Sequence, residues 1–268
     1  MTTHMRVRSL AASIASMAAF LPANTLIAQT IVAQPQLAWA VHDTSRPLPP
    51  SVTPASQNLS VAPPSDAVVL FDGKSASQWQ RADGAPAPWR VHGGHLEIVP
   101  GSGDIQSRRA FGDVQLHVEW MAPDAESDTT YYRGNSGVYL MGLYEVQILD
   151  SYRNGVKIYA DGQAASLYGQ YPPLVNASLP PRTWQTFDIV FRRPRFGTDG
   201  GLQTPARVTV FHNGVLAQHD VALTGPTAHK ARPPYVAHAD RLPIVLQAHG
   251  SPVRFRNMWV RELAESAR

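Results

Sequence analysis

The 268-residue chain has no cysteine. This excludes disulfides, thiolate metal sites, a cysteine nucleophile and anchoring through a lipidated N-terminal cysteine. Charge of either sign is in short supply, and the formal net charge is only +3. No broad basic field is available to hold a nucleic acid. The apolar run near the N-terminus is too short for a comfortable transmembrane helix. No later segment keeps a helical period, and no internal repeat is visible. The ten histidines are scattered without zinc-finger spacing, and no H-E-x-x-H motif occurs.

What is present begins like a secretion signal. Arg6 and Arg8 precede an uncharged, small-residue-rich stretch from Leu10 to Leu21. Residues 1–28 read as a signal peptide, with cleavage near Ala28 or as late as the Ala38-Trp39-Ala40 pattern. The expected location is periplasmic or secreted, with no membrane span in the mature protein. Residues 29–66 read as a linker. Pro47, Pro49, Pro50, Pro54, Pro63 and Pro64 lie among small polar residues, a composition that should stay extended or mobile. The folded domain is expected over residues 67–268, opening at Ala67-Val-Val-Leu-Phe71.

From there the signals are those of β-structure. Val114, Leu116, Val118 and Trp120 alternate with Gln115, His117 and Glu119. Phe187, Ile189 and Phe191 mark another strand before Pro194. Val208 and Val210 lead into Asn213-Gly214, a type I′ hairpin signal. Ile244, Leu246 and Ala248 alternate with Val245, Gln247 and His249, and a last strand runs from about Val253 to Leu263. Many short strands with irregular loops predict an all-β, two-sheet antiparallel jelly-roll sandwich.

The densest polar pattern is E-x-Q-x-x-D at Glu145, Gln147 and Asp150, behind Gly134-Asn135-Ser136-Gly137. Alternation puts Glu145 and Gln147 on one strand face. A β-bulge near Ile148-Leu149 would add Asp150 to it. Gln115, His117 and Glu119 form a second polar face, and Gln247 and His249 a third. If these strands are neighbours, the faces line one groove suited to acid/base work on a sugar. Ordinary solvated sheet faces give the same alternation.

Several segments resemble the 3-keto-disaccharide hydrolase domain family, whose fold is a concanavalin-like sandwich. They are Leu70-Phe-Asp-Gly-Lys74, Gly134-Asn-Ser-Gly137, Tyr144-Glu-Val-Gln-Ile-Leu-Asp-Ser151, Leu167-Tyr-Gly-Gln-Tyr-Pro-Pro173, Trp184-Gln-Thr-Phe-Asp-Ile189, Leu246-Gln-Ala-His-Gly250 and Phe255-Arg-Asn-Met-Trp-Val260. The resemblance spans roughly residues 68–263. It implies an extracytoplasmic hydrolase acting on glycosides oxidised at C3 of the glucose. Two positions depart from the family pattern. Ala248 stands where relatives often carry Asp, and Leu143 where they often carry Arg.

A ketone at C3 acidifies the C2 proton, so a base can drive expulsion of the C1 group, and water then adds to the enone. Direct hydrolysis would instead use two carboxyl groups. The sequence leaves both routes open. The candidate catalytic residues are Glu145, Asp150 and His249. The candidate substrate-binding residues are Glu119, Asn135, Tyr144, Gln147, Tyr168, Gln247 and Arg256. Arg256 also fits a structural partner of a buried carboxylate, and Tyr139, Tyr144 and Tyr168 fit either sugar stacking or packing. No cofactor or metal is assigned. Calcium in a loop suits the fold class, and Glu119, Glu145, Asp150 and His249 could serve as ligands only if they converge. The expected partner is a small carbohydrate, not nucleic acid. A non-catalytic carbohydrate-binding module and a scaffold domain are the alternatives.

Overall fold

The computed structural model describes Met1 and residues 37–264, apart from 125, 127, 130, 131 and 155–157. The expected signal peptide therefore lies outside the described residues. In chain order the strands are β1 (Val68–Phe71), β2 (Trp79–Gln80), β3 (Arg90–His92), β4 (His95–Glu97), β5 (Ile105–Phe111), β6 (Val114–Met121), β7 (Ser136–Leu140) and β8 (Tyr144–Ile148). They continue as β9 (Gln185–Arg192), β10 (Arg195–Phe196), β11 (Leu202–Thr204), β12 (Arg207–His212), β13 (Val215–Ala222), β14 (Leu242–Leu246) and β15 (Arg254–Glu262). No α-helix occurs among the described residues, and none of their helices is long and apolar enough to cross a membrane.

One sheet has eight strands in the order β13-β12-β9-β6-β15-β4-β3, with β1 also pairing β15. The other has five, in the order β2-β5-β14-β7-β8, and β10-β11 is a separate ribbon. The strand pairings are antiparallel. The alternation predicted for β6 holds: Leu116, Val118 and Trp120 enter the core. Val138, Leu140, Tyr144, Val146 and Ile148 from β7 and β8 meet them in the same apolar cluster. The two sheets thus bury one face each, as a sandwich requires. Asn213 (φ 51°) and Gly214 (φ 72°) take the left-handed conformations of the expected hairpin turn between β12 and β13.

The outer face of the eight-stranded sheet carries a row of paired charges. Arg256 Nε donates to Glu119 Oε2 at 2.7 Å from the adjacent strand, and Arg254 Nε donates to Glu97 Oε2 at 2.6 Å. His117 Nδ1 lies 2.7 Å from Asp188 Oδ1.

The proline-rich stretch before β1 is irregular but has contacts along its length. Ser51 forms a bridge with Asn176, Asn257 Nδ2 donates to the Val61 carbonyl at 3.1 Å, and Ser60 N donates to Glu119. Further upstream His42 stacks on Tyr159 with ring centroids 3.7 Å apart.

Candidate active-site cleft

The site grows from the β7–β8 hairpin. Its register pairs Tyr139 with Glu145 and Gly137 with Gln147. Tyr144, Val146 and Ile148 point into the core, so Glu145 and Gln147 face outward. The neighbouring β14 pairs Val245 with Tyr139 and Leu246 with Val138. That brings Gln247 beside Gly137, whose carbonyl accepts from Gln247 N at 3.0 Å. Gly137 therefore leaves a gap between two glutamines, and the Glu145 carboxyl leans into it. A Cβ at 137 would collide with Glu145 Oε1 and come within 3.0 Å of the Tyr139 ring.

β8 is the edge strand of its sheet, yet loops cover it. Gln147 exchanges backbone hydrogen bonds with Ser166 and Ala165 at 3.0 and 2.9 Å. Glu145 N donates to Thr227 Oγ1 at 3.0 Å. These loops form the wall of a cleft of about 360 Å³ floored by Tyr139, Glu145, Gln147 and Gln247, with Tyr168, His229 and His249 around it. A second lobe shares Asn135, Gln147, Tyr168, His229 and His249 and extends to Tyr132, Ile158 and Tyr159. The size falls within the roughly 300–1,000 Å³ range of small-molecule sites.

Glu145 is only 4% exposed. Burial pushes its carboxyl up to about 8, a hydrogen bond with Tyr139 pulls it part of the way back, and the charge of Asp104 adds to the rise. Turned to satisfy its neighbours, the Gln147 amide donates to Glu145 Oε1 at 2.9 Å and to the Ser136 carbonyl at 3.0 Å. Its other end lies 3.3 Å from the Asn135 amide. Gln247 Nε2 donates to Tyr139 Oη at 3.3 Å. Burial and then the Glu145 charge push the Tyr139 phenol well above its ordinary range, so it remains an O–H donor. Tyr168 is likewise held protonated by burial. Its hydroxyl lies 2.8 Å from that of Tyr159 and 3.3 Å from His229 Nδ1.

Six of the ten candidate catalytic and substrate-binding residues meet in this cleft: Asn135, Glu145, Gln147, Tyr168, Gln247 and His249; Tyr139 joins them. Four do not. The β7–β8 register shows no bulge, and Asp150 lies beyond the end of β8, where Arg133 Nε donates to its Oδ2 at 2.8 Å. Its carboxyl pairs with that arginine and is not among the residues that line the cleft. Tyr144 is a core residue, and its hydroxyl lies 2.8 Å from His238 Nε2. Glu119 and Arg256 belong to the eight-stranded sheet and bond to each other on its outer face, so their groove is not that of Glu145. Glu119, Glu145, Asp150 and His249 consequently do not converge on a metal.

Tyr159, Thr227, His229, Asp104 and the opening at Gly137 had no role assigned to them from the sequence. Ala248 packs against the core, and its N–H donates to Asp104 Oδ1 at 2.8 Å. The departure at 248 thus faces away from the cleft. Leu143 also packs against the core.

Comparison with known proteins agrees with this architecture. A candidate glycosyl hydrolase from Parabacteroides distasonis is 42% identical, with a TM-score of 0.71 over 81% of this chain and 93% of that one. A second from the same organism is 19% identical, with a TM-score of 0.55 over 74% and 94%, and supports the fold alone. No curated protein matches. The family described as the 3-keto-alpha-glucoside-1,2-lyase-like domain matches residues 66–261. The chain belongs to that family of 3-keto-glycoside lyase-like, glycosidase-like domains.

Proposed function

We propose that this protein breaks the glycosidic bond of 3-keto-glycosides, 3-keto-disaccharides included, by eliminating the C1 substituent and then adding water. The observation that carries this reading is the desolvated Glu145 carboxyl at the floor of the cleft, without a second carboxylate among the described residues that line it. Direct hydrolysis uses two carboxyl groups across the scissile bond, roughly 5–9.5 Å apart. Elimination next to a ketone needs one base, a donor for the enolate oxygen and an acid for the leaving oxygen.

Glu145 in its carboxylate form takes the C2 proton, and the electrons of that C–H bond pass into the enolate at O3. The phenol of Tyr168 and the second N–H of the Gln247 amide are O–H and N–H donors within the cleft for that oxygen. The C1–O bond then breaks as the enolate collapses to the enone, and His249 or His229 hands a proton to the departing oxygen. In the return step water gives hydroxide to C1 and a proton to the imidazole, while Glu145, its proton by then exchanged with solvent, protonates C2. The sum is hydrolysis of the glycoside. A carboxyl near 8 suits this task because a more basic carboxylate removes a carbon-bound proton more readily.

The test is incubation with a 3-keto-glucoside carrying a chromogenic leaving group, beside the unoxidised parent. Release from the keto form alone, lost in Glu145→Gln, is the expected result. Cleavage of the parent at an equal rate would overturn it. Tight binding of the keto substrate without release would favour a non-catalytic carbohydrate-binding module.

A further inference from the structure

A second concentration of ligating side chains lies on the outer face of the eight-stranded sheet. His92-Gly93-Gly94-His95 is the tip of the β3–β4 hairpin. Gly93 and Gly94 have φ of 55° and 78°, the two left-handed positions of a type I′ turn, which glycine adopts without a Cβ penalty. The turn sets His92 opposite His95, with ring centroids 4.2 Å apart. Glu97, two residues past His95, returns to the same face, while Leu96 between them enters the core.

His92 Nε2 and His95 Nε2 then lie 3.4 and 3.9 Å from Glu97 Oε2. One ligand atom from each of the three residues falls within 4.8 Å of the others. A tetrahedral ion with bonds of about 2.0–2.2 Å spaces its ligands by roughly 3.3–3.6 Å, so small side-chain movements would close the set.

His95 is prepared for such a role. Its Nδ1 lies 3.2 Å from the Gly93 carbonyl. That contact places the proton on Nδ1 and leaves the Nε2 lone pair free, which is the usual outer arrangement of a metal-bound imidazole. His95 is 9% exposed, and its buried Nε2 has no hydrogen-bond partner among the described residues. Arg254 and Arg90 also donate to the Glu97 carboxylate, at 2.6 and 3.4 Å. Their charge opposes a cation, but they fix the carboxylate's orientation and leave lone pairs unused, since a carboxylate offers about four. Calcium or magnesium would demand more oxygens than this site holds. Two imidazoles and one carboxylate suit zinc, with a water in the fourth position.

We propose that His92, His95 and Glu97 bind one zinc-type divalent metal ion that pins the β3–β4 hairpin, separate from the Glu145 cleft. The test is equilibrium dialysis of the EDTA-stripped full chain against zinc chloride, with cobalt(II) absorption reporting geometry. Wild type should hold one equivalent and give tetrahedral cobalt bands. His92→Ala and His95→Gln should each weaken binding about 10–100-fold or more, the scale seen when metal-site partners are lost. Because His92 is exposed, its apo variant should keep the wild-type melting temperature. Glu145→Gln and His249→Ala should keep the equivalent. No binding by wild type, undiminished binding by the His92→Ala/His95→Gln double variant, or loss in His249→Ala would overturn the assignment.

Discussion

Glu145 couples the proposed chemistry to folding, and the coupling can be sized. Its carboxyl sits near 8 in the folded protein against a model value of 4.5. The folded state therefore holds a proton that the unfolded state releases. Stability is greatest below about pH 4.5, falls by about 1.4 kcal/mol per pH unit above it, and levels off past about pH 8. The cost relative to a neutral side chain is about 3 kcal/mol at pH 7 and roughly 5 kcal/mol at pH 9. Glu145→Gln keeps the shape, can still accept from Gln147, and has no charge to bury. It should be inactive yet more stable at pH 7, melting about 6–12 °C higher for a domain of this size. The assay is urea denaturation of both proteins at pH 5, 7 and 9. The curves should nearly coincide at pH 5 and diverge as pH rises. Parallel pH dependences, or a variant less stable than wild type at pH 9, would refute the view of Glu145 as a buried, proton-holding carboxyl.

The ascending limb of kcat/KM for a 3-keto-glucoside should centre near pH 8, where Glu145 loses its proton; a limb at pH 4–5 would contradict this. Gly137→Ala should displace the Glu145 carboxyl, lowering turnover at least tenfold and costing about 1–3 kcal/mol by overpacking, read from rates and denaturation. Asp150→Asn should cost about 1–3 kcal/mol by weakening the pair with Arg133, while turnover survives in the folded fraction. Glu119, held near 2 against the raising effect of burial by the neighbouring His117 and by hydrogen bonds from Asn257, Ser60 and Arg256, contributes stability that is present above about pH 4.5 and lost as pH falls through 2. Acid titration of Glu119→Gln by circular dichroism should lack that component.

Much of the fold is legible because alternation is a local property. The β6 pattern, the Asn213-Gly214 turn and the closing strand each follow from residues adjacent in the chain. The floor of the cleft is legible for the same reason, since Glu145 and Gln147 share a face by period two. Which strands are neighbours is not local. Glu119 and Arg256 carry the same kind of polar alternation as Glu145, but β6 and β15 pair in the other sheet. Asp150 needed a bulge to join Glu145, and Arg133 partners it instead. The value of Gly137 becomes visible only once the register sets it beside Glu145. The cleft wall at Thr227 and His229 comes from a loop about 80 residues away, with no sequence signal linking it to β8. The His92-Gly-Gly-His-x-Glu spacing was readable in principle, because a two-glycine turn aligns both histidines, but it matches no zinc-finger pattern.

The most direct test of the account is the fate of hydrogen at C2. A 3-keto-glucoside is turned over in D₂O, and the product is isolated early, beside a no-enzyme control. If Glu145 drives elimination followed by hydration, the released 3-keto sugar carries deuterium at C2 above the control. Product released at full rate with only the control level of deuterium at C2 would contradict it.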